Sequence, residues 1–301
     1  MQRSYLYLGI GVALALGVGV VALVLTRSIE EPYQAPIVEK LEEPIALSFE
    51  SVEVIGASVE GRDIVAHTFG HGDTHLLFVG GVHGGYEWNS VLLAYAMIDY
   101  VREHPGLISE ELSMTIIPSL NPDGIYRVTG KDGRFLVSDL IPGVDTAPAR
   151  FNANNVDLNR NFDCKWEPES SWRGQRVSAG TEPFSEPEAR ALRDWVLRER
   201  PAFGVFWHSI ANNVYASECE EGILPETLAI MEAYADAANY GKVESFDAYP
   251  ITGDVEGWLA SIGIPAITVE LETRDSIEWE RNLAGVKALI SRAETYQPIA
   301  R

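Results

Sequence analysis

The sequence predicts an α/β domain that begins near residue 46, and three observations point to it. Short apolar runs such as "HLLFVGG" and "PAITVEL" alternate with longer amphipathic stretches such as "NSVLLAYAMIDYVREH" and "SEPEARALRDWVLRER", as buried strands and the helices that cover them do. Four of the apolar runs each lead into a polar residue able to do chemistry. At 301 residues the chain is also long enough to bury one sizeable core.

The amino-terminal segment is of another kind. From Ser4 to Thr26 no charge interrupts the chain, and a helix needs ~20 apolar residues to cross the hydrocarbon of a bilayer. The shorter apolar region and small-residue cleavage site of a signal peptide are not evident. Residues 1–27 are therefore read as a membrane anchor, or as a secretion signal if cleaved, with the remainder outside the cytoplasm and the bilayer as a partner. Residues 28–45 carry three prolines and many carboxylates and read as a linker. The chain has 23 basic against 44 acidic residues, a net charge of −21 spread along its length. Such a surface repels polyanions, so nucleic acid is excluded as a partner.

Within the domain the apolar runs line up by the polar residues at their carboxyl ends. "HLLFVGG" leads to His83, "LSMTIIPSL" to Asn121 and Asp123, "AFGVFWH" delivers His208 and "PAITVEL" delivers Glu270. In open α/β sheets the site lies beyond the carboxyl ends of the strands, so these groups are expected to meet in one cleft. Of the six histidines, His71 and His75 sit in a turn, His67 in a polar-alternating strand and His104 at a helix end. That leaves His83 and His208, with Glu87 close to the first. Two histidines and a carboxylate form a common catalytic zinc set that keeps a fourth position for water. Zinc so held makes bound water acidic and polarises a carbonyl, which implies amide or ester hydrolysis. Glu270 is then the candidate general base. "ARFNANNVDLNRNFD" offers Arg150, Asn159 and Arg160 for an oxyanion and a substrate carboxylate, since arginine pairs bidentately with carboxylates.

The segments "HGGYE", "NPDG", "VDLNRNFD", "PFSEPEARAL", "FWHS" and "ITVEL" stand in the order that resembles the zinc carboxypeptidases related to carboxypeptidase A. That family includes murein-peptide amidases and, further off, the succinylglutamate desuccinylase and aspartoacylase group. The resemblance covers roughly residues 46–295. It implies an α/β/α sandwich around a mixed, mainly parallel sheet, with one zinc ion on His83, Glu87 and His208. It further implies that Asn159 and Arg160 grip the substrate's terminal carboxylate, that Arg150 polarises the scissile carbonyl, and that Glu270 activates the water. Tyr249 falls where the family keeps a mobile tyrosine, and Asp254 and Glu256 lie in the segment lining its specificity pocket, where acids favour a cationic side chain.

One departure matters: the family mostly places its glutamate three residues after the first histidine, and here the interval is four. Gly84 and Gly85 can both take positive φ and so absorb the extra residue. Glu272 is an alternative to Glu270, facing the same way but further out. Only two cysteines occur, Cys164 and Cys219, on loops expected to leave the same cleft. Outside the cytoplasm thiols that meet are oxidised, and a Cys164–Cys219 disulfide is expected. The reaction expected is hydrolysis of a peptide or small amide next to a free carboxylate. Deacylation of N-acyl amino acids and a non-catalytic peptide-binding module are the alternatives.

Overall fold

The computed structural model describes residues 50–246 and 250–293. The expected anchor, the linker and Tyr249 lie outside the described residues. Among the described residues no helix is long and apolar enough to cross a membrane.

Strands β1 (Glu50–Ala57) and β2 (Asp63–Gly70) form a hairpin, followed by β3 (Thr74–Val79), helix α1 (Trp88–Glu103), β4 (Leu112–Ile117) and α2 (Pro122–Thr129). A long irregular stretch then contains the small ribbon of β5 (Glu169–Trp172) and β6 (Gln175–Ser178) and ends at α3 (Pro187–Glu199). Next come β7 (Phe203–Ser209), β8 (Asn213–Ala216), a ribbon of β9 (Glu218–Cys219) with β10 (Gly222–Ile223), α4 (Pro225–Ala238) and β11 (Gly241–Val243). Finally α5 (Val255–Ser261) precedes β12 (Ala266–Leu271) and α6 (Trp279–Arg292).

Eight strands form one sheet in the order β1-β2-β4-β3-β7-β12-β8-β11. The four central strands run parallel, while β2 and β8 join them antiparallel. Residues of β4 and β7 are buried throughout, which is why these strands read as continuous apolar runs: helices cover both faces. Leu76 and Phe78 of β3 pack with α1, α4 and α6, whereas Leu77 and Val79 pack with α3 and α5. The same alternation sends Val205 and Trp207 of β7 to the first face and Phe206 to the second. This is the expected α/β/α sandwich.

The topology locates the cleft. The chain leaves β3 for β4 on one side, while β7 pairs with β3 on the other side and leads on toward β12 and β8. Adjacent parallel strands whose connections diverge leave a crevice beyond their carboxyl ends, and His83 and His208 stand at that divergence.

The irregular stretch between α2 and α3 is held by asparagine side chains that replace regular ladder partners, as Asn does in turns. Asn152 Oδ1 accepts from the amides of Asn154 and Val156, while its Nδ2 donates to Glu186 and Glu188. Asn161 Nδ2 donates to the carbonyls of Ala179 and Glu182. The Asn-rich wording of "NANNVDLNRN" thus builds a rigid platform out of non-repetitive backbone.

Cys164 and Cys219 form the expected disulfide, with their Cα atoms 6.0 Å apart and a sequence separation of 55. The chain-entropy account gives a loop of that size at most about 4 kcal/mol of stability. Intact mass after alkylation of the unreduced, denatured protein is expected to show no alkylated cysteine, and reduction is expected to lower the melting temperature. Two alkylated cysteines before reduction would refute the bridge.

Candidate active site

The run "HLLFV" ends at two glycines that let a helix approach. A Cβ on Gly80 would meet the Ser90 and Pro118 carbonyls at 2.7 and 2.8 Å, and one on Gly81 would meet Val91 at 2.6 Å. The chain then makes a short 3-10 turn over Gly84–Glu87, and Glu87 stands at the N-cap position of α1 with its side chain turned to the histidines rather than to the helix amides. This turn absorbs the additional residue between His83 and Glu87. Gly84 does so with φ +44°, as expected, but Gly85 has no positive φ. Glycine is required there because a Cβ would lie 2.4 Å from the Gly124 carbonyl oxygen.

The result brings three buried donors together from distant parts of the chain. His83 Nδ1 lies 3.0 Å from Glu87 Oε1, His208 Nδ1 lies 2.9 Å from Glu87 Oε2, and the two Nδ1 atoms are 3.1 Å apart. Zinc–nitrogen and zinc–oxygen bonds of ~2.0–2.2 Å in tetrahedral arrangement separate their donors by roughly 3.3–3.5 Å. The two Glu87 distances are to different oxygens, and one ligand atom from each residue lies within 4.8 Å of the others, so the three side chains surround a single place for that ion. These residues also form a potential metal cluster by mutual distance and burial.

Charge favours a cation in the same place. Burial alone would raise the Glu87 carboxyl, but His83 and His208 outweigh it and hold the group well below the usual carboxylate range. Burial works against a charged His208, yet Glu87 and Glu256 raise it to about 10. A buried, acid-rich pocket thus binds positive charge, whether proton or metal.

Each imidazole is backed by a carboxylate. His83 Nε2 is 3.4 Å from Asp157 Oδ1, and His208 Nε2 is 3.4 Å from Glu256 Oε1. Carboxylates behind metal-binding histidines fix the tautomer and make the ligating nitrogen more basic. Asp157 also accepts from Arg150 Nε at 3.0 Å. Burial would raise Asp157, but Arg150, then His83, hold it ionised far below the usual range. One carboxylate therefore orients both the first histidine and the arginine expected to face the carbonyl. Sequence reasoning missed it; the available signal was an aspartate inside an otherwise amide-rich motif.

Glu270 is Cα-paired with His208 across adjacent parallel strands, so both side chains project to the α3 and α5 face about 4.8 Å apart at the backbone. Its Oε2 is buried without a hydrogen-bond partner. Burial first and Glu87 second push Glu270 up to about 7, against His208 and Arg150, which pull it down. Glu272 is exposed at the rim and pairs with Arg281 at 3.2 Å; it does not line the cleft.

The cleft, of about 600 Å³, is lined by the three donors, Glu270, Arg150, Asn159, Arg160, Asp254 and Glu256, together with Trp172 and Arg274. Asn159 Oδ1 accepts from the Val255 amide at 2.9 Å, tying the platform to α5. Arg160 donates through Nε to Ser170. Asp254 caps α5 through the Gly257 amide at 2.7 Å, and Glu256 accepts from Thr268 Oγ1 at 2.9 Å while facing His208. Burial and then Glu256 raise Asp254 to about 6.

One expectation is corrected. The strand ending before Asn121 and Asp123 does not deliver them to the cleft. Asn121 caps α2 through the Gly124 amide and donates to the Arg150 carbonyl, and Asp123 accepts from Ser58 and Arg62. Their work is local: helix initiation and bracing of the backbone that carries Arg150.

A zinc hydrolase is the class that this sheet and this donor set define. The chain belongs to the zinc carboxypeptidase family, whose pattern matches residues 47–283. It is 25% identical over 238 residues to gamma-D-glutamyl-L-diamino acid endopeptidase 1 of Lysinibacillus sphaericus, covering 72% of this chain and 59% of that protein's length. It is 27% identical over 212 residues to murein peptide amidase A of Escherichia coli, covering 67% of this chain and 73% of the other. Carboxypeptidase A of Helicoverpa armigera has a similar fold, with TM-score 0.63 and 20% identity over 82% of this chain and 70% of that one.

Proposed function

We propose that the chain is a metallopeptidase that hydrolyses a peptide or amide bond next to a free carboxylate, as a metallocarboxypeptidase or cell-wall peptide amidase. The observation that carries this reading is the convergence of His83, Glu87 and His208 with Glu270 and Arg150 at one end of the parallel sheet. Zinc held by the three donors would acidify a water to pKa ~7 and polarise the carbonyl.

The rest is work for side chains. Glu270, held near neutrality by its surroundings, takes a proton from the attacking water and returns it to the leaving amine. Arg150, fixed by Asp157, offers its guanidinium to the oxyanion. Asn159 and Arg160 bind the carboxylate of the leaving residue. Asp254 and Glu256 crowd two acids into one buried place, which favours a cationic side chain there; the diamino acid in the name of the Lysinibacillus relative is such a group. The apolar amino-terminal segment and the disulfide support placing the domain outside the cytoplasm, with the bilayer as its anchor.

The test is a screen of the zinc-loaded full chain on peptides ending in Lys, Arg, Phe or diaminopimelate. Cleavage is expected, with the cationic ends preferred; no release from any of them would refute the proposal. Arg160→Ala is expected to raise KM ~10–100-fold for substrates with a free terminal carboxylate. Amidation of that carboxylate should remove most of the difference between variant and wild type, and equal damage with the amidated substrate would count against this role.

A further inference from the structure

Arg150 and Arg160 stand on short 3-10 turns within the irregular stretch between α2 and α3. A long side chain keeps one direction only where its neighbours remove its rotamer freedom. Both arginines meet such a neighbour on one small element, the β5–β6 ribbon, which lies apart from the eight-stranded sheet.

The ribbon is fixed to the platform beside Asp157. The Asp157 amide donates to the Ser178 carbonyl at 3.0 Å, and Val156 forms an isolated bridge with Ser178. One residue further on, the Ala179 carbonyl accepts from Trp166 Nε1 at 3.1 Å. Buried Val177 of β6 is Cα-paired with Ser170 of β5. The strand face that bears Ser170 and, two residues on, Trp172 therefore turns inward, while Glu169 and Arg176 pair with each other on the exposed face.

Ser170 holds the first arginine by its edge. Its Oγ accepts from Arg160 Nε at 3.1 Å and from Thr252 Oγ1 at 3.2 Å. A hydroxyl in this place fixes the direction of the guanidinium without neutralising it, so the charge remains for a substrate carboxylate.

Trp172 covers the second by its face. Asp157 Oδ2 already takes the edge of Arg150, at 3.0 Å from Nε and 2.9 Å from Nη2, and Nη1 lies 3.8 Å from Glu87 Oε1. The Trp172 ring centroid is 4.8 Å from the guanidinium carbon, nearer than the Tyr86 ring at 5.9 Å. Tyr86 and Phe151, which adjoin Glu87 and Arg150 in the chain, meet the indole edge-on at 5.1 and 6.0 Å. An aromatic ring stacked on a guanidinium confines it to one plane. With its edge set by Asp157 and its plane by Trp172, Arg150 keeps Nη1 turned to the metal donors.

We infer that the β5–β6 ribbon positions both substrate-facing arginines through two residues of one strand face. Ser170 acts on binding, by aiming Arg160 at the carboxylate of the leaving residue, and Trp172 acts on turnover, by aiming Arg150 at the oxyanion. The inference rests on the hydrolysis proposed above and assigns to each positioning residue a different kinetic constant.

The experiment uses the zinc-loaded full chain and the peptide cleaved fastest among those ending in Lys, Arg, Phe or diaminopimelate, with its terminal carboxylate free or amidated. Trp172→Ala is expected to lower kcat ~3–30-fold, the range of a desolvated cation–π contact, with KM near wild type. Trp172→Phe restores most of that loss and Trp172→Leu does not, because leucine fills space without a π face. Ser170→Ala is expected to raise KM for the free acid ~3–10-fold, with kcat near wild type and the amidated peptide unaffected. Zinc content stays at the wild-type level in all four variants. Equal kcat in the Phe and Leu variants overturns the role of Trp172, and does so even where the alanine variant fails to fold. A Ser170→Ala variant that moves kcat as much as KM, or slows both peptides equally, overturns the role of Ser170, since lost packing alone would produce that. A wild type that cleaves none of the peptides overturns the proposed hydrolysis together with this inference, whereas an active wild type whose constants none of the variants moves overturns the inference alone.

Discussion

Glu270→Gln is expected to retain fold and zinc while kcat falls by ~10²–10⁴-fold, the usual cost of losing a general base. The substitution preserves shape but removes the group that takes a proton. Glu272→Gln, on the exposed rim beside Arg281, is expected to leave turnover near wild type, and the opposite pair of results would move the base assignment to Glu272. The pH profile gives a second readout. A base must be deprotonated to act, so kcat/KM should rise with pH through the titration of Glu270. That group is raised to about 7 by burial and Glu87, and a bound dication adds to the charges pulling it down. The acid limb is therefore expected at or below neutrality and should be missing from the residual activity of Glu270→Gln. An unchanged limb in the variant would assign it to another group.

His208→Ala is expected to abolish zinc retention through dialysis, and turnover with it. The alanine leaves Glu87 and His83 as a two-donor site, short of the three protein ligands that catalytic zinc commonly has. Glu87→Ala should do the same; full occupancy and activity in that variant would show that the carboxylate four residues after His83 is not a ligand. Asp157→Asn is the informative contrast. It keeps all three donors and removes the charge facing both His83 Nε2 and Arg150. A loss of ~10–100-fold in metal affinity is expected, as for other groups that orient a ligating histidine. Metal titration against a competing chelator checks all three variants.

Much of this site was readable because parallel strands buried on both faces announce themselves as apolar runs, and the residues that end them share an edge. His83, His208 and Glu270 were legible for that reason. The same reasoning overreached at Asn121 and Asp123, since a strand end leading at once into a proline and a helix cap has a local use for its polar groups. Glycine chemistry was half legible: the extra residue calls for a permissive turn, but the crowding of Gly85 against the Gly124 carbonyl depends on α2, which no local pattern around His83 describes.

What the sequence determined by itself was the set of chemical groups and the strands that carry them: two imidazoles and a carboxylate of metal-binding type, a second strand-end carboxylate proposed as the base, two arginines and a pair of cysteines. Those properties come from residue type and from periodicity, which are local. What only the tertiary structure decided was orientation. His83 and His208 are 125 residues apart in the chain, yet their nitrogens are 3.1 Å apart. Asp157 behind one, Glu256 behind the other and Arg274 over Tyr86 are contacts between segments that meet only when the platform, α5 and the loop after β12 pack against the sheet. The direction of a buried side chain is set by the neighbours that exclude water around it, and those neighbours come from elsewhere in the chain.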